Sequence, residues 1–118
     1  MINYKCNPVN IVISVIKEYY PNIKATIIFT SRLKGIEENE CGCTTFPTNP
    51  SIPPLIELAS NLPMSAIADV LSHEFAHIIA GYEAQHNDTW KHIAQKILEF
   101  SNIAFKKEFK KINNLYFQ

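Results

Sequence analysis

His73-Glu74-Phe75-Ala76-His77 sets two imidazoles four residues apart, with a carboxylate next to the first. On an α-helix, residues four apart lie one above the other on the same face. His73 and His77 can therefore direct two ring nitrogens at one point, with Glu74 beside them and slightly round the helix. Two metal ligands and an adjacent general base are the parts of a hydrolytic zinc site. With four histidines and nine glutamates in 118 residues, chance alone would produce the motif in roughly one such chain in a hundred.

A catalytic zinc takes three protein ligands and leaves its fourth position to water. His86 ranks first as the third ligand. It follows His77 by nine residues, just past the expected helix end, where a turning chain can bring it back. His86-Asn87-Asp88-Thr89-Trp90 reads as a loop histidine directly before a capped helix, with Trp90 anchoring that helix on the core. Glu99 ranks second, at a distance from which a second helix can donate a glutamate. Glu83 ranks third. His92 falls on the side of the last helix away from Trp90, Ile93 and Ile97.

The helix that must carry the motif runs from Pro63 to about Gly81. Ile67, Val70, Leu71, Phe75, Ile78, Ile79 and Tyr82 recur on one stripe, and Glu74 fills the missing position of that stripe. A carboxylate on the core-facing side is costly unless something compensates it, and a metal-bound water in a cleft would do so. Upstream, Asn7-Pro8 is a helix start, followed by Val9, Val12, Ile13, Ile16 and Tyr20 at helical spacing. Lys24 to Thr30 and Cys41 to Phe46 read as strands, joined by a polar loop or hairpin over Ser31 to Glu40. Four prolines make Pro47 to Pro54 irregular. Leu55 to Leu58 reads as a further short strand, and Pro53-Pro54 before it suggests a sheet edge. Asn87 or Asp88 caps a final helix whose apolar face is Trp90, Ile93, Ala94, Ile97, Leu98 and Phe105.

The chain is long enough for one domain, assigned to residues 1–112. Residues 113–118 resemble the remnant of a tag-removal protease site and are set aside. Hydrophobic residues make up 47% and charged residues 19%, so a folded core is expected rather than disorder. The formal net charge is zero, which disfavours a dedicated nucleic-acid binder. The basic run from Lys106 to Lys111 reads as a solvated helix end in preference to a phosphate contact. No apolar run approaches a membrane span, and no secretory layout is visible at the start, so a cytoplasmic location is expected. Cys6, Cys41 and Cys43 are odd in number and lack the second pair of a thiolate zinc site, so they read as ordinary buried or half-buried thiols.

The motif, the eight residues to His86 and the aromatic Trp90 four positions later together resemble the SprT-like zinc metallopeptidase domain. Relatives usually have glycine after the third histidine. Asn87 stands there in this chain, and asparagine tolerates left-handed backbone angles. The resemblance covers about residues 8 to 105, with its specific part between His73 and Trp90. It implies a minimal zincin-like α+β fold: an N-terminal helix, a small three-stranded sheet, the motif helix and a C-terminal backing helix. It implies Zn2+ on His73, His77 and His86, a zinc-activated water, and Glu74 as the base that passes the proton to the leaving amine. The implied partner is a protein or peptide substrate. Some relatives act on proteins crosslinked to DNA, and many carry a cysteine-paired zinc ribbon, which would need cysteines beyond Cys43. The second oxyanion donor is open, with Tyr82 and Tyr4 as candidates by type. The strand Leu55 to Leu58, read as an edge, offers strand addition to a substrate backbone. Two other readings stand beside this one. A non-catalytic zinc-binding interaction module would close the site with His92, Glu83 or Glu99, and a DNA-associated factor would show salt-sensitive binding.

Overall fold

A computed structural model of the chain describes residues 7–31 and 41–117, the last six of these by backbone alone. The elements are α1 (Pro8–Tyr19), β1 (Thr26–Thr30), β2 (Gly42–Thr45), β3 (Leu55–Ala59), α2 (Met64–Ala80), a 3-10 turn (Tyr82–Ala84) and α3 (Asp88–Phe117). This is an α+β fold, with three helices and a small mixed sheet. Tyr4, Cys6 and most of the expected connection from Ser31 to Glu40 lie outside the described residues.

Helix α1 starts where its sequence signals a start. Asn7 accepts a hydrogen bond from the Val9 amide through Oδ1 at 2.9 Å, and Pro8 occupies the first turn, where no donor is missed. The helix buries Ile11, Val12, Val15 and Ile16. That face is turned slightly from the expected one, with Ile11 and Val15 in place of Ile13.

The sheet corrects one expectation. Its order is β1-β3-β2, so Leu55–Ala59 is the central strand and not an edge. β3 runs parallel to β1, from Thr26 opposite Leu55 to Thr30 opposite Ala59. It runs antiparallel to β2, from Gly42 opposite Leu58 to Thr45 opposite Leu55. The two prolines precede the ladder and so cost it no donor. Pro54 instead lends its carbonyl to the Thr26 amide at 2.9 Å. Ile56 and Leu58 enter the core, while Glu57 between them points to the opposite face and is also buried, at 2% exposure.

Helix α2 lies against that sheet and sinks Ile67, Leu71, Phe75 and Ala76 into the core. Ser72 is buried as well, its hydroxyl returned to the Ala68 carbonyl at 2.6 Å. Gly81, at φ 95°, stops the helix in a conformation that glycine tolerates and L-residues rarely adopt. The chain leaves the helical path there. Tyr82 therefore drops out of the predicted stripe and is 76% exposed.

Helix α3 backs α2. Ile97 and Ser101 are buried, and Trp90, Ile93, Ala94, Phe100 and Ala104 pack against the core. Phe105, expected on this face, is 39% exposed. The apolar line passes through Ala104 one position earlier. Phe100 stacks on Tyr19 with ring centroids 4.3 Å apart and joins α3 to α1. The helix continues to Phe117, so Lys106 to Lys111 sit within it and not at its end. Lys111 reaches Glu108 at 3.4 Å, an exposed pair of small energetic weight. Among the described residues, no helix is long and apolar enough to cross a membrane.

Candidate metal centre

Helix α2 brings the Nε2 atoms of His73 and His77 to 3.3 Å, as four-residue spacing on one face requires. His86 returns over them from the turn after α2, its Nε2 3.1 Å from that of His77. All three ligand nitrogens lie within 4.8 Å of one another, close enough to hold one metal ion. Zinc–nitrogen bonds of about 2.0–2.1 Å in a tetrahedron place neighbouring nitrogens roughly 3.3–3.4 Å apart. Two of the separations fall at or just below that spacing and the third is within 4.8 Å, so the three nitrogens could hold a metal ion. Among the described residues no fourth His, Cys, Asp or Glu joins this group, so Glu83, Glu99 and His92 stay outside it. His73 and His77 are half-buried and His86 is exposed, which leaves the cluster open to solvent on the loop side.

The electrostatics suit a cation. Burial lowers the pKa of His73, the nearby His86 lowers it further, and Asp69 works in the opposite direction. His77 is lowered to about 4, first by burial and then by His73 and His86. Protonating either ring would put a positive charge in a partly desolvated place beside other imidazoles. At neutral pH these two rings are uncharged, with lone pairs to offer.

Three local features carry His86 to its place. The 3-10 turn is closed by the Ala84 amide on the Gly81 carbonyl at 3.1 Å, and the Asn87 amide bonds the Ala84 carbonyl at 3.0 Å. Gln85 makes the sharp reversal at φ 51° and ψ −119°. The tolerance of asparagine for left-handed angles is not used at Asn87; the positive φ falls at Gln85, one residue before His86. Asn87 instead caps α3, accepting the Trp90 amide through Oδ1 at 3.0 Å.

Trp90 has a larger part than that of a helix anchor. Its indole N–H donates to the His73 carbonyl at 3.2 Å. Its ring lies 4.5 Å from His73, 5.2 Å from His77 and 4.5 Å from His86, centroid to centroid. One side chain thus walls all three imidazoles and ties the loop that carries His86 to the helix that carries the other two.

Glu74 is buried, at 5% exposure, and lines the same cleft as the three histidines. The Thr44 hydroxyl donates to its Oε2 at 2.5 Å and lies 3.3 Å from its backbone carbonyl. Thr44 is on β2, two residues from Gly42. A Cβ at position 42 would meet Val70 Cγ1 at 2.9 Å and Glu74 Cγ at 3.3 Å. Gly42 therefore lets β2 approach α2 closely at this point.

The cleft is bordered by β2, by the histidines and by Phe46 and Tyr82, whose rings meet edge-on at 5.7 Å. Cys43 is half-buried on its wall. Cys41 is exposed rather than buried and lines an adjoining hollow with Asp69 and His86. Sequence reasoning missed Gly42, Thr44 and Phe46. Nothing in their local spacing marks them, because they become functional neighbours only when β2 lies beside α2. Against known proteins, the chain matches no family model, no curated protein and no solved structure.

Proposed function

We propose that this protein is a zinc-dependent peptidase of the SprT-like kind. The observation that carries the reading is the convergence of three Nε2 atoms beside a buried glutamate: His73, His77 and His86 as ligands, Glu74 as base. A zinc ion held there supplies a water acidified to a pKa of about 7 and a Lewis acid for the scissile carbonyl. The Glu74 carboxylate accepts the proton of the attacking water and returns it to the leaving amine nitrogen. A buried carboxylate next to three metal ligands has no purpose in a structural site, and that favours catalysis over a non-catalytic zinc module.

The substrate reading is a protein or peptide. Among the described residues β2 is an edge strand of the sheet and borders the cleft, where an extended substrate backbone would lie. This moves the substrate edge from Leu55–Leu58, which is central, to β2. Tyr82 is the phenol on the cleft wall and the candidate second donor to the oxyanion. Neutral net charge gives a nucleic-acid partner no support.

Elemental analysis of protein purified without added metal should find about one zinc per chain, as a single three-ligand site requires. Glu74→Gln should retain that zinc and lose all cleavage of a diverse peptide library. Unchanged cleavage by this variant would remove Glu74 as the base.

A further inference from the structure

We propose that Thr44 is the positioning residue for the Glu74 carboxylate, with Gly42 setting the strand-to-helix distance at which it does so. The inference rests on the peptidase reading of Glu74. It starts from an elementary difficulty: a glutamate has three side-chain torsions, and a base that wanders among rotamers is out of place for much of the time. Helix α2 fixes only the start of that side chain. The far end is met from another element, 30 residues away in sequence.

The Thr44 hydroxyl has one proton and two acceptors within reach, Oε2 of Glu74 at 2.5 Å and the Glu74 carbonyl at 3.3 Å. The shorter contact, to the side-chain oxygen, takes the proton. β-Branching makes threonine stiff at χ1, so the hydroxyl is itself held in direction. Residues 42 and 44 lie on the same face of β2, toward α2. At position 42 a Cβ would strike Val70 and crowd the Glu74 stem. The strand thus does two things in three residues: it has no side chain where the Glu74 stem passes, and it has a hydroxyl where the carboxylate ends.

Thr44→Val keeps the shape and removes the donor, while Thr44→Ser keeps the donor. In the zinc-loaded enzyme Thr44→Val should lower kcat by about tenfold or more, a fraction of the ~10²–10⁴ a positioned base contributes, with KM within about twofold. Thr44→Ser should recover most of the loss. Unchanged kcat in Thr44→Val, or Thr44→Ser as impaired as Thr44→Val, overturns the proposal. A second measurement needs no activity: a thermal-stability cycle of Thr44→Val, Glu74→Ala and the double variant in metal-free protein. A smaller Tm loss in the double variant than the sum of the single losses is expected, and additive losses overturn the contact. If Thr44→Val does not fold, Thr44→Ala, which also deletes the hydroxyl, takes its place in the cycle, with the same coupling expected and additivity again overturning the contact. Should the wild type hold zinc yet cleave no peptide, the peptidase reading fails by itself, and the cycle still decides whether Thr44 holds Glu74.

Discussion

The histidine cluster is assembled by two different means. His73 and His77 stand on a regular helix, where the backbone repeat alone sets their Nε2 atoms 3.3 Å apart. His86 stands on a turn, where its 3.1 Å approach to His77 depends on Gly81, Gln85, Asn87 and Trp90 each taking one conformation. The helical pair is cheap to specify and hard to disturb. The loop position takes several residues to specify, and it is where the site can be tuned. It is also the exposed side of the cluster, while the helical pair is half-buried and kept neutral by its burial.

The largest test of this contrast removes the ligands themselves. His77→Ala and His86→Ala should each weaken zinc binding by more than the ~10–100-fold typical of a supporting residue. His92→Ala should leave it unchanged. Competition titration with a chelator reads all three, and zinc affinity that follows His92 instead of His86 would break the assignment.

Trp90→Phe probes the link between the two halves. It keeps an aromatic wall but deletes the donor to the His73 carbonyl. A loss of roughly tenfold in zinc affinity is expected, at the low end for a second-layer partner. No loss would show that the helical pair and the loop are independent.

Asn87→Ala should act on the loop side alone. Removing a helix cap costs about 1 kcal/mol, a Tm drop of roughly 3–6 °C for a domain of this size. The drop should persist in metal-free protein. If it appeared only with zinc bound, Asn87 would belong to the site and not to the helix.

A last effect is on pH. The folded-state pKa of His77 is about 4, below the 6.5 of an unperturbed histidine. Between those values the unfolded chain binds more protons than the folded one, so metal-free stability should rise with pH up to about 6.5 and then level off. Tm measured at intervals across that window should show the slope, and His77→Gln should lessen it, leaving the part that His73 contributes. An equal slope in the variant would place the proton uptake elsewhere.

How much of this the amino-acid order reveals depends on how local each interaction is. The motif helix, its glycine stop and the Asn7 cap are local and could be read directly. So could His86, because a loop histidine followed by a cap and an aromatic is a pattern within five residues. Strand order is not local. Pro53-Pro54 argued for an edge, yet both prolines fall before the ladder, and β3 is central. Tyr82 fitted the helical stripe by count, but Gly81 had already turned the chain. Gly42 and Thr44 were invisible for the same reason as the strand order: their partners lie about 30 residues away, on α2.

Asn87 ends the turn and begins α3 in one residue, and this has a consequence for how such a chain can change its length. Position along a helix is also rotation, about 100° for each residue. One residue inserted between Asn87 and Trp90 would swing the indole away from the His73 carbonyl, and one inserted between Gln85 and His86 would leave α3 in phase but displace the imidazole. The spacing from residue 86 to residue 90 is therefore fixed by the geometry on both sides. An insertion in the 3-10 turn at Tyr82–Ala84 would act differently, because a longer excursion there can still come back to the Gln85 reversal and the same cap.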